Sequence, residues 1–392
     1  MTSFFRRQWQ GVPRLGLRVA LLLSPLLALV AAPRPPVGLV APPPPVSGPL
    51  APAAPAAPPP PVSGPATVAA PTPTPAVPPL PTELEEFEQT MTQALTGDVK
   101  AQLRLGLFYE HGVGVLTNPG EAFQWYSKAA AQGDDTAQVL AGLLCDLGNG
   151  VPQDSVTAVA WYRKAAEKKN ARAQFLLGMC YEKGSGVPAD DAQSLAWYRL
   201  AAEQEVAEAQ VKVAECYARG RGVERSETEA AKWYRRAADL EDPEAQTQLG
   251  ILYRNGQGVK PSDAEALKWF RTAAALGHAE AQFQLGVIFF SGLGAAQNST
   301  EAMHWFRKAA EQEHLWAQHN LGVLYEKGKG VKPDLAEAYK WYNLAAVHGL
   351  TYAEEARAAL LSRISPADLA EGQRRSAAFF RRPPPKPVAP VE

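Results

Sequence analysis

The chain repeats itself every 36 residues, and this period restricts its possible folds more than any other feature. The pair Ala-Gln recurs at that spacing seven times without insertion, beginning at Ala101, and a Trp stands 24 residues after each of these Ala residues. Those Trp residues are Trp125, Trp161, Trp197, Trp233, Trp269, Trp305 and Trp341. A tyrosine or phenylalanine follows every one of them. Such self-similarity is the signature of a solenoid, in which each repeat buries its apolar face only against neighbouring repeats.

Each repeat predicts two helices separated by a glycine-containing break. In the third repeat four residues fall at positions i, i+3, i+4 and i+7 of one helical face, namely Gln174, Leu177, Gly178 and Tyr181. Gly184 and Gly186 then interrupt the helix, since glycine adopts backbone angles that other residues resist. The second helix opens in every repeat with a favoured N-cap residue: Asn118, Asp154, Asp190, Ser226, Ser262, Asn298 and Asp334.

The residue types in the remaining columns predict how these helices pack. A glycine lies five residues after the Ala of the Ala-Gln pair in every repeat but the fourth, which has Ala214. Small residues let two helices cross closely, and the Ala pairs of the second helix act in the same way. We expect each Trp to fill the wedge between neighbouring hairpins. The seven Trp residues are therefore predicted to form one structural core column.

Partial repeats are predicted at both ends of the repeat array. Residues 83–100 are assigned to an N-terminal capping helix, residues 101–352 to the seven repeats, and residues 353–380 to C-terminal capping helices. Caps with a polar outer face are needed because the terminal repeats of a solenoid lack a neighbour on one side. The predicted fold class is all-α, a right-handed α/α solenoid of seven 36-residue helix-turn-helix repeats with helical caps.

The segment before the repeats has a different composition. Residues 1–82 contain 23 of the 35 Pro residues and no Asp or Glu. Residues 1–32 predict a signal peptide or signal anchor, because arginines precede an apolar run that ends in small residues. Residues 33–82 predict a Pro-rich disordered linker, since such a run cannot bury a core. Residues 381–392 form a Pro-rich, basic tail.

The N-terminal segment leaves the compartment open between two related outcomes. A cleaved signal would release the protein into the periplasm, whereas an uncleaved one would tether it to the inner membrane, facing the periplasm, through residues 15–32. Pro33 directly follows the small residues and disfavours cleavage there. We therefore expect an exported protein that is either periplasmic or membrane-anchored. A cytoplasmic scaffold, in which residues 1–32 are not a signal, is the competing interpretation.

Composition also argues against several functional classes. Residues 83–370 carry 38 acidic and 29 basic side chains, so a nucleic-acid partner is not expected. Three Cys in 392 residues exclude a disulfide scaffold, and the six His show no metal-ligand spacing. No nucleophile motif is present, and the Gly-x-Gly breaks lack the preceding strand of a phosphate-binding loop. We predict no catalytic, cofactor-binding or metal-binding residues and no cofactor.

The repeat columns resemble the Sel1-like repeat family, a branch of the tetratricopeptide-like α/α solenoids. The family pattern is Ala-x-x-x-Leu-Gly-x-x-Tyr-x-x-Gly-x-Gly-Val, then an N-cap, then Ala-x-x-Trp-Tyr-x-x-Ala-Ala, and it covers residues 101–352. The resemblance implies a non-enzymatic scaffold or adaptor that binds another protein or peptide. It also implies that the first helix of each repeat lines the concave face of the solenoid.

The candidate partner-binding residues lie in the implied concave columns, except for Trp316, which is included because it belongs to no core column. They are Glu182, Arg219, Arg254, Phe290, Trp316 and His319. Phe290 and Trp316 stand out because neither belongs to a core column, and large apolar groups outside the core are typical of interfaces. We expect repeats 5–7 to form the partner-binding end, in a monomer or weak oligomer. The leading interpretation is an adaptor of the cell envelope; a regulatory subunit of an envelope sensor or assembly machine and, less favoured, an envelope hydrolase remain the alternatives.

The compartment can be tested by N-terminal sequencing of the protein isolated from its host. We expect a mature N-terminus near Pro33 if the signal is cleaved, and an intact N-terminus in the membrane fraction if it is an anchor. An intact N-terminus in the cytoplasmic fraction would contradict the export prediction.

Overall fold

The computed structural model describes residues 82–381, which form seventeen α-helices and contain no strand. The predicted signal segment, the Pro-rich linker and the tail from residue 382 lie outside the described residues. The helices are α1 (Glu83–Leu95), α2 (Val99–His111), α3 (Pro119–Ala131), α4 (Asp135–Leu147), α5 (Ser155–Glu167), α6 (Ala171–Lys183), α7 (Asp191–Ala202), α8 (Ala207–Arg219), α9 (Glu227–Asp239), α10 (Pro243–Asn255), α11 (Asp263–Ala275), α12 (Ala279–Ser291), α13 (Ser299–Glu311), α14 (Leu315–Lys327), α15 (Leu335–Val347), α16 (Thr351–Leu361) and α17 (Pro366–Phe380).

Helices α2 to α15 form seven helical hairpins stacked in chain order. Each of the helices α2 to α14 packs most extensively on the helix before it and the helix after it, as expected when a repeat contacts only its neighbours. The prediction of an all-α solenoid with seven repeats and helical caps is confirmed. One boundary differs, because α1 ends at Leu95 and residues 99–100 already belong to the first helix of repeat 1.

Side-chain caps and glycines define where the helices begin and end. All seven predicted N-cap residues of the second helices accept a hydrogen bond from a backbone N–H in the first turn. The first glycine of each break ends the first helix in the left-handed conformation, as Gly184 does with φ 69°. The second glycine also has positive φ, and a Cβ at Gly186 would overlap the backbone of Ser155 in the preceding repeat. The second glycine therefore allows consecutive repeats to approach.

The core is built on contacts between the glycine column of the first helices and the aromatic residue that follows each Trp. A Cβ added to Gly250 would lie 2.7 Å from Cε1 of Phe270, and the equivalent glycine in every other repeat except the fourth is equally close to its ring. These rings are almost fully buried. Glycine at this position therefore lets the ring of the second helix rest directly on the backbone of the first, as the sequence predicted for the helix crossing.

The Trp column is less buried than its aromatic neighbours. Trp125, Trp269 and Trp341 are buried, whereas the other four residues of the column are partly exposed. Each Trp packs toward the preceding hairpin, as Trp161 of α5 does against the cluster that contains Leu107 and Tyr126 of the first hairpin. A Lys or Arg side chain lies over several of the rings. The Trp residues fill the wedge between hairpins as predicted, but the adjacent Tyr or Phe forms the centre of the core.

The Gln of every Ala-Gln pair links two repeats. In all seven repeats its side-chain amide donates a hydrogen bond to the carbonyl of an Ala eight residues earlier, at the end of the preceding second helix. In three repeats a second Gln, 30 residues later, donates to the Oε1 of the first. In the other four, which contain Gln138, Gln210, Gln246 and Gln318, this buried Oε1 has no partner within residues 82–381.

The last helix departs from the repeat pattern. Helix α16 continues the register of the first helices, but α17 packs on α15 rather than pairing with α16 as a second helix would. The ring of Phe379 lies 5.5 Å from that of Trp341, and Arg375 pairs with Asp334 and Glu337 of α15. Arg375 thus holds α17 against the start of α15.

Replacing Gly250 with Ala tests the contact between the glycine column and the aromatic ring. We expect a loss of about 1–3 kcal/mol in unfolding free energy, because the new methyl group must displace the Phe270 ring. In a Phe270→Ala background the same substitution should be neutral or stabilising, because Ala favours the helix over Gly. Chemical denaturation of the four proteins of this cycle measures the difference. An equal cost in both backgrounds would contradict the packing described here.

Replacing Leu276 with Gln tests the amide link between repeats. Leu276 is exposed and stands 30 residues after Gln246, where three other repeats have the second Gln. Supplying a donor to the unpaired Oε1 should raise the unfolding free energy by about 0.5–1.5 kcal/mol. Leu276→Ala serves as the matched control and should not stabilise the protein, as measured by the denaturant midpoint.

Candidate partner-binding surface

The first helices at the C-terminal end share one exposed face, because residues at i, i+4, i+7 and i+11 of a helix lie on the same side. We define the C-terminal face by residues of α12, α14 and α16 and of the turn after α16: Glu280, Gln284, Val287 and Ser291; Trp316, Asn320, Val323 and Lys327; Tyr352, Ala356, Ala359 and, in that turn, Arg363. Gln284 is buried, and the other residues are partly or fully exposed. Trp316 contacts Tyr352, and Arg363 pairs with Glu326. The first contact joins α14 to α16 at one end of the face. The second joins α14 to the turn after α16 at the other end.

An exposed aromatic pair occupies one end of this face. Trp316 is 42 % exposed and Tyr352 is 61 % exposed, and their ring centroids lie 5.3 Å apart. They occupy consecutive positions of one column that is polar or charged in every earlier repeat: Lys100, Thr136, Arg172, Glu208, Glu244 and Glu280. The sequence-based prediction identified Trp316 but omitted Tyr352. Extending the 36-residue register one step into the cap would have found it.

His319 lies behind the aromatic pair. Its ring is 6.1 Å from that of Trp316 and 5.5 Å from that of the buried Tyr342. Burial lowers the pKa of His319 although the carboxylate of Glu326 acts to raise it. The column of His319 is mostly buried in repeats 2–5, which corrects the expectation that this column lines an open groove. His319 therefore supports Trp316 from below more than it extends the exposed surface.

Phe290 is not one of the residues that define this face but borders its opposite end, next to Ser291. Its partly buried ring lines a small cavity of about 30 Å³ together with Phe306, Asn320 and Val323. The ammonium group of Lys329 lies 5.4 Å from the centre of the ring. On α12, Glu280 occupies the position that Trp316 occupies on α14, and Phe290 lies ten residues after it. Ten residues of helix span about 15 Å at roughly 1.5 Å per residue. The two aromatic candidates thus mark the two ends of one surface.

The column that contains Glu182 has a structural role in several repeats. The phenol of Tyr198 donates a hydrogen bond of 2.7 Å to Glu182, which also pairs with Arg221 at 2.7 Å. Burial acts to raise the pKa of Glu182, but the hydrogen bonds from Tyr198 and Arg221 outweigh it and lower that pKa. Repeats 1 and 7 contain the same phenol–carboxylate bond. Glu182 is therefore already engaged within the solenoid.

The same column changes when the buried ring has no hydroxyl group. The aromatic residues of repeats 5 and 6 are Phe270 and Phe306, and the column then carries Arg254 and Phe290 in place of an acid. Arg254 donates a hydrogen bond of 2.5 Å to Gln284 and lies 5.8 Å from the Phe270 ring. A carboxylate is needed only where a buried phenol requires an acceptor, so part of the variation in this column is structural.

The six predicted partner-binding residues do not form one cluster. Trp316 and His319 are in ring contact, and Phe290 borders the far end of the same face. Within residues 82–381, no hydrogen bond, ion pair or ring contact connects Glu182, Arg219 or Arg254 with Trp316. Arg219 is exposed at the end of α8. The aromatic residues at the C-terminal end are the members of the set that lie together.

The two ends of the C-terminal face differ in charge. Beside the aromatic pair, Glu280 accepts a hydrogen bond of 2.9 Å from His314, which lowers the pKa of Glu280, and Glu355 is exposed one turn after Tyr352. At the other end Lys327 is exposed, and Arg363 pairs with Glu326. The face therefore runs from an acidic, aromatic end to a basic end.

The described residues contain no grouping that indicates other chemistry. Among residues 82–381, no three His, Cys, Asp or Glu side chains are placed to hold a metal ion. None of the helices α1–α17 is both long enough and apolar enough to cross a bilayer. The three thiols are free and buried, and burial raises the pKa of Cys180 to about 12 and that of Cys216 to about 11.

Comparison with known proteins places the repeats in a family. A family model described as Sel1 repeat matches seven consecutive segments: residues 99–134, 136–170, 171–206, 207–242, 243–278, 279–314 and 317–349. Together these segments cover well over half of the chain. No curated protein is significantly similar to the chain.

Two solved structures are similar in both sequence and fold. One is a protective antigen of uropathogenic Escherichia coli with an SLR fold, at 34 % identity and a TM-score of 0.66 over 74 % of this chain. The chain covers 64 % of that protein, less than two thirds of its length. The other is a Sel1 repeat protein from Oxalobacter formigenes, at 35 % identity and a TM-score of 0.60, with 69 % of this chain and 78 % of that one covered.

Proposed function

The chain belongs to the Sel1 repeat family, and on that premise we propose that it is a non-enzymatic adaptor that binds a partner protein through the C-terminal face. Sel1 repeat proteins are generally protein-interaction scaffolds. The observation that carries the proposal for this chain is the exposed pair of Trp316 and Tyr352.

An exposed aromatic pair is well suited to bind a protein surface. Tyr and Trp are enriched among residues that contribute most to interface free energy, because each buries a large area and loses little conformational freedom. Trp316 is held from behind by His319, whose ring in turn contacts the buried Tyr342. The pair is therefore positioned before a partner arrives, which reduces the entropic cost of binding.

The position of the pair also favours a role in binding rather than in folding. The aromatic residues that build the core repeat in every hairpin, whereas the column of Trp316 is polar or charged in the six earlier repeats. Stacking of the hairpins thus requires no aromatic residue in this column. We assign Trp316 and Tyr352 to partner recognition, with Phe290 as a second anchor at the other end of the face.

We further propose that the adaptor acts in the cell envelope. The support for this location is the arginine-rich start and apolar run of residues 1–32, which resemble an export signal. The Pro-rich segment 33–82 would then separate the solenoid from a membrane or from the cleavage site. Identification of the partner in an envelope extract would support both the location and the adaptor function.

The double substitution Trp316→Ala and Tyr352→Ala tests the binding surface. We expect the full-length variant to lose the partner that the unchanged protein captures from envelope extract, with at least a tenfold drop in recovered partner. Two interface aromatic residues commonly contribute that much, about 2 kcal/mol or more each. Quantitative mass spectrometry of the captured proteins provides the measurement.

Leu293→Ala is the matched control for this experiment. Leu293 is an exposed apolar residue in the loop after α12 and lies outside the C-terminal face as defined. It should leave capture unchanged, and all three proteins should share the same thermal midpoint within a few degrees. Equal capture by the double variant and the unchanged protein would refute the proposed surface.

A further inference from the structure

We propose that the partner presents a short extended segment with a cationic residue at one end and an acidic residue at the other, lying along α14 between Tyr352 and Arg363. This inference rests on the proposed function and specifies the chemistry of the partner. It follows from the charges, the spacing and the side-chain sizes on the C-terminal face.

The aromatic end of the face suits a cation. The rings of Trp316 and Tyr352 are exposed, and the electron-rich face of an aromatic ring attracts an ammonium or guanidinium group, most strongly for Trp. Glu355 lies one helical turn beyond Tyr352 on the same side, is exposed, and has no ion-pair partner within residues 82–381. Glu280 occupies the position of Trp316 one repeat earlier and adds a second carboxylate, which already accepts hydrogen bonds from His314 and Gln284. A Lys or Arg at this end would meet both rings and a free carboxylate.

The other end of the face suits an anion. Lys327 is the last residue of α14, three turns after Trp316, and is exposed without an ion-pair partner among the described residues. Arg363 stands 36 residues after Lys327, in the turn that follows α16, and remains about half exposed while paired with Glu326, the neighbour of Lys327. Lys329 stands over Phe290 nearby. Three basic groups against one carboxylate leave this end positive.

The surface between these ends favours an extended chain over a helix. Its side chains are small or flat: Asn320 and Val323 on α14, and Ala356 and Ala359 on α16. These short side chains let the backbone of a bound segment approach α14 and α16 closely between the two charged ends. An extended backbone with small apolar side chains fits such a surface.

The spacing sets the length of the bound segment. Trp316 and Lys327 are eleven residues apart on α14, which is about 16 Å along the helix. An extended chain covers this distance in about five residues at roughly 3.3 Å each. The proposed segment therefore has four residues between its cationic and its acidic residue.

Three synthetic hexapeptides test this chemistry by isothermal titration into the full-length protein. They share the core Ala-Leu-Ala-Leu, with blocked termini, and carry Lys and Glu, Lys and Lys, or Glu and Glu at their two ends. We expect the Lys/Glu peptide to bind roughly fivefold more tightly than either like-charged peptide, as one exposed ion pair contributes. Each like-charged peptide carries the same residue at both ends, so it presents the same charges whichever direction its chain takes along α14.

Charge reversal on the protein should change this ranking. In Lys327→Glu we expect the Lys/Glu peptide to lose its advantage over the Lys/Lys peptide, because Arg363 and Lys329 are then balanced by two carboxylates. In Glu355→Lys it should lose its advantage over the Glu/Glu peptide, because the new lysine offsets Glu280. Lys183→Glu is the matched control, because Lys183 occupies the register of Lys327 in the third repeat and is equally exposed. The control should retain the ranking of the unchanged protein.

The outcomes separate this inference from the proposed function. Equal binding of the three peptides, or a ranking unaffected by charge reversal at Lys327 and Glu355, would overturn the inference. The proposed function would survive that result if partner capture still depended on Trp316 and Tyr352. If capture did not depend on them, the proposed function would fail first.

Discussion

The close contact between a glycine backbone and an aromatic ring is the interaction on which the solenoid depends. Because Gly250 has no Cβ, the ring of Phe270 can lie against the first helix, and the same geometry recurs in five further repeats. This contact sets the spacing of the two helices in a hairpin. The fourth repeat has Ala214 instead, and there the ring of Tyr234 is 6 % exposed rather than almost fully buried. The fold thus accommodates a methyl group at this position.

A buried phenol can use a carboxylate as its hydrogen-bond partner, and this contact accounts for the acidic residue in the column of Glu182 in three of the seven repeats. The hydroxyl groups of Tyr126, Tyr198 and Tyr342 donate to carboxylates at the end of the first helix, whereas the repeats with Phe carry no acid there. Asp146 of the second repeat has a shorter side chain and bonds Ser155, and the hydroxyl of Tyr162 has no partner within the described residues. Variation in a column of a repeat protein can therefore reflect packing in the same repeat rather than partner specificity.

A regular solenoid leaves few positions free for recognition. The core columns, the caps and the amide links between repeats account for most of each 36-residue unit, so function depends on exposed residues that no column requires. Trp316 and Tyr352 are such residues, and they lie where the array ends and α17 turns back onto α15. The end of a solenoid can diverge because it has no following repeat to fit.

The sequence by itself determined the repeat, its two helices, the caps and the glycine breaks. These features follow from local backbone preferences and from the 36-residue period, which aligns the repeats without gaps. It also singled out Trp316 as the Trp that the repeat does not require. Only the tertiary structure decided that the residue after each Trp forms the centre of the core, that Glu182 serves a buried phenol, and that Tyr352 joins Trp316. These facts depend on which side chains meet across helices, and that depends on the distance and angle at which the helices cross.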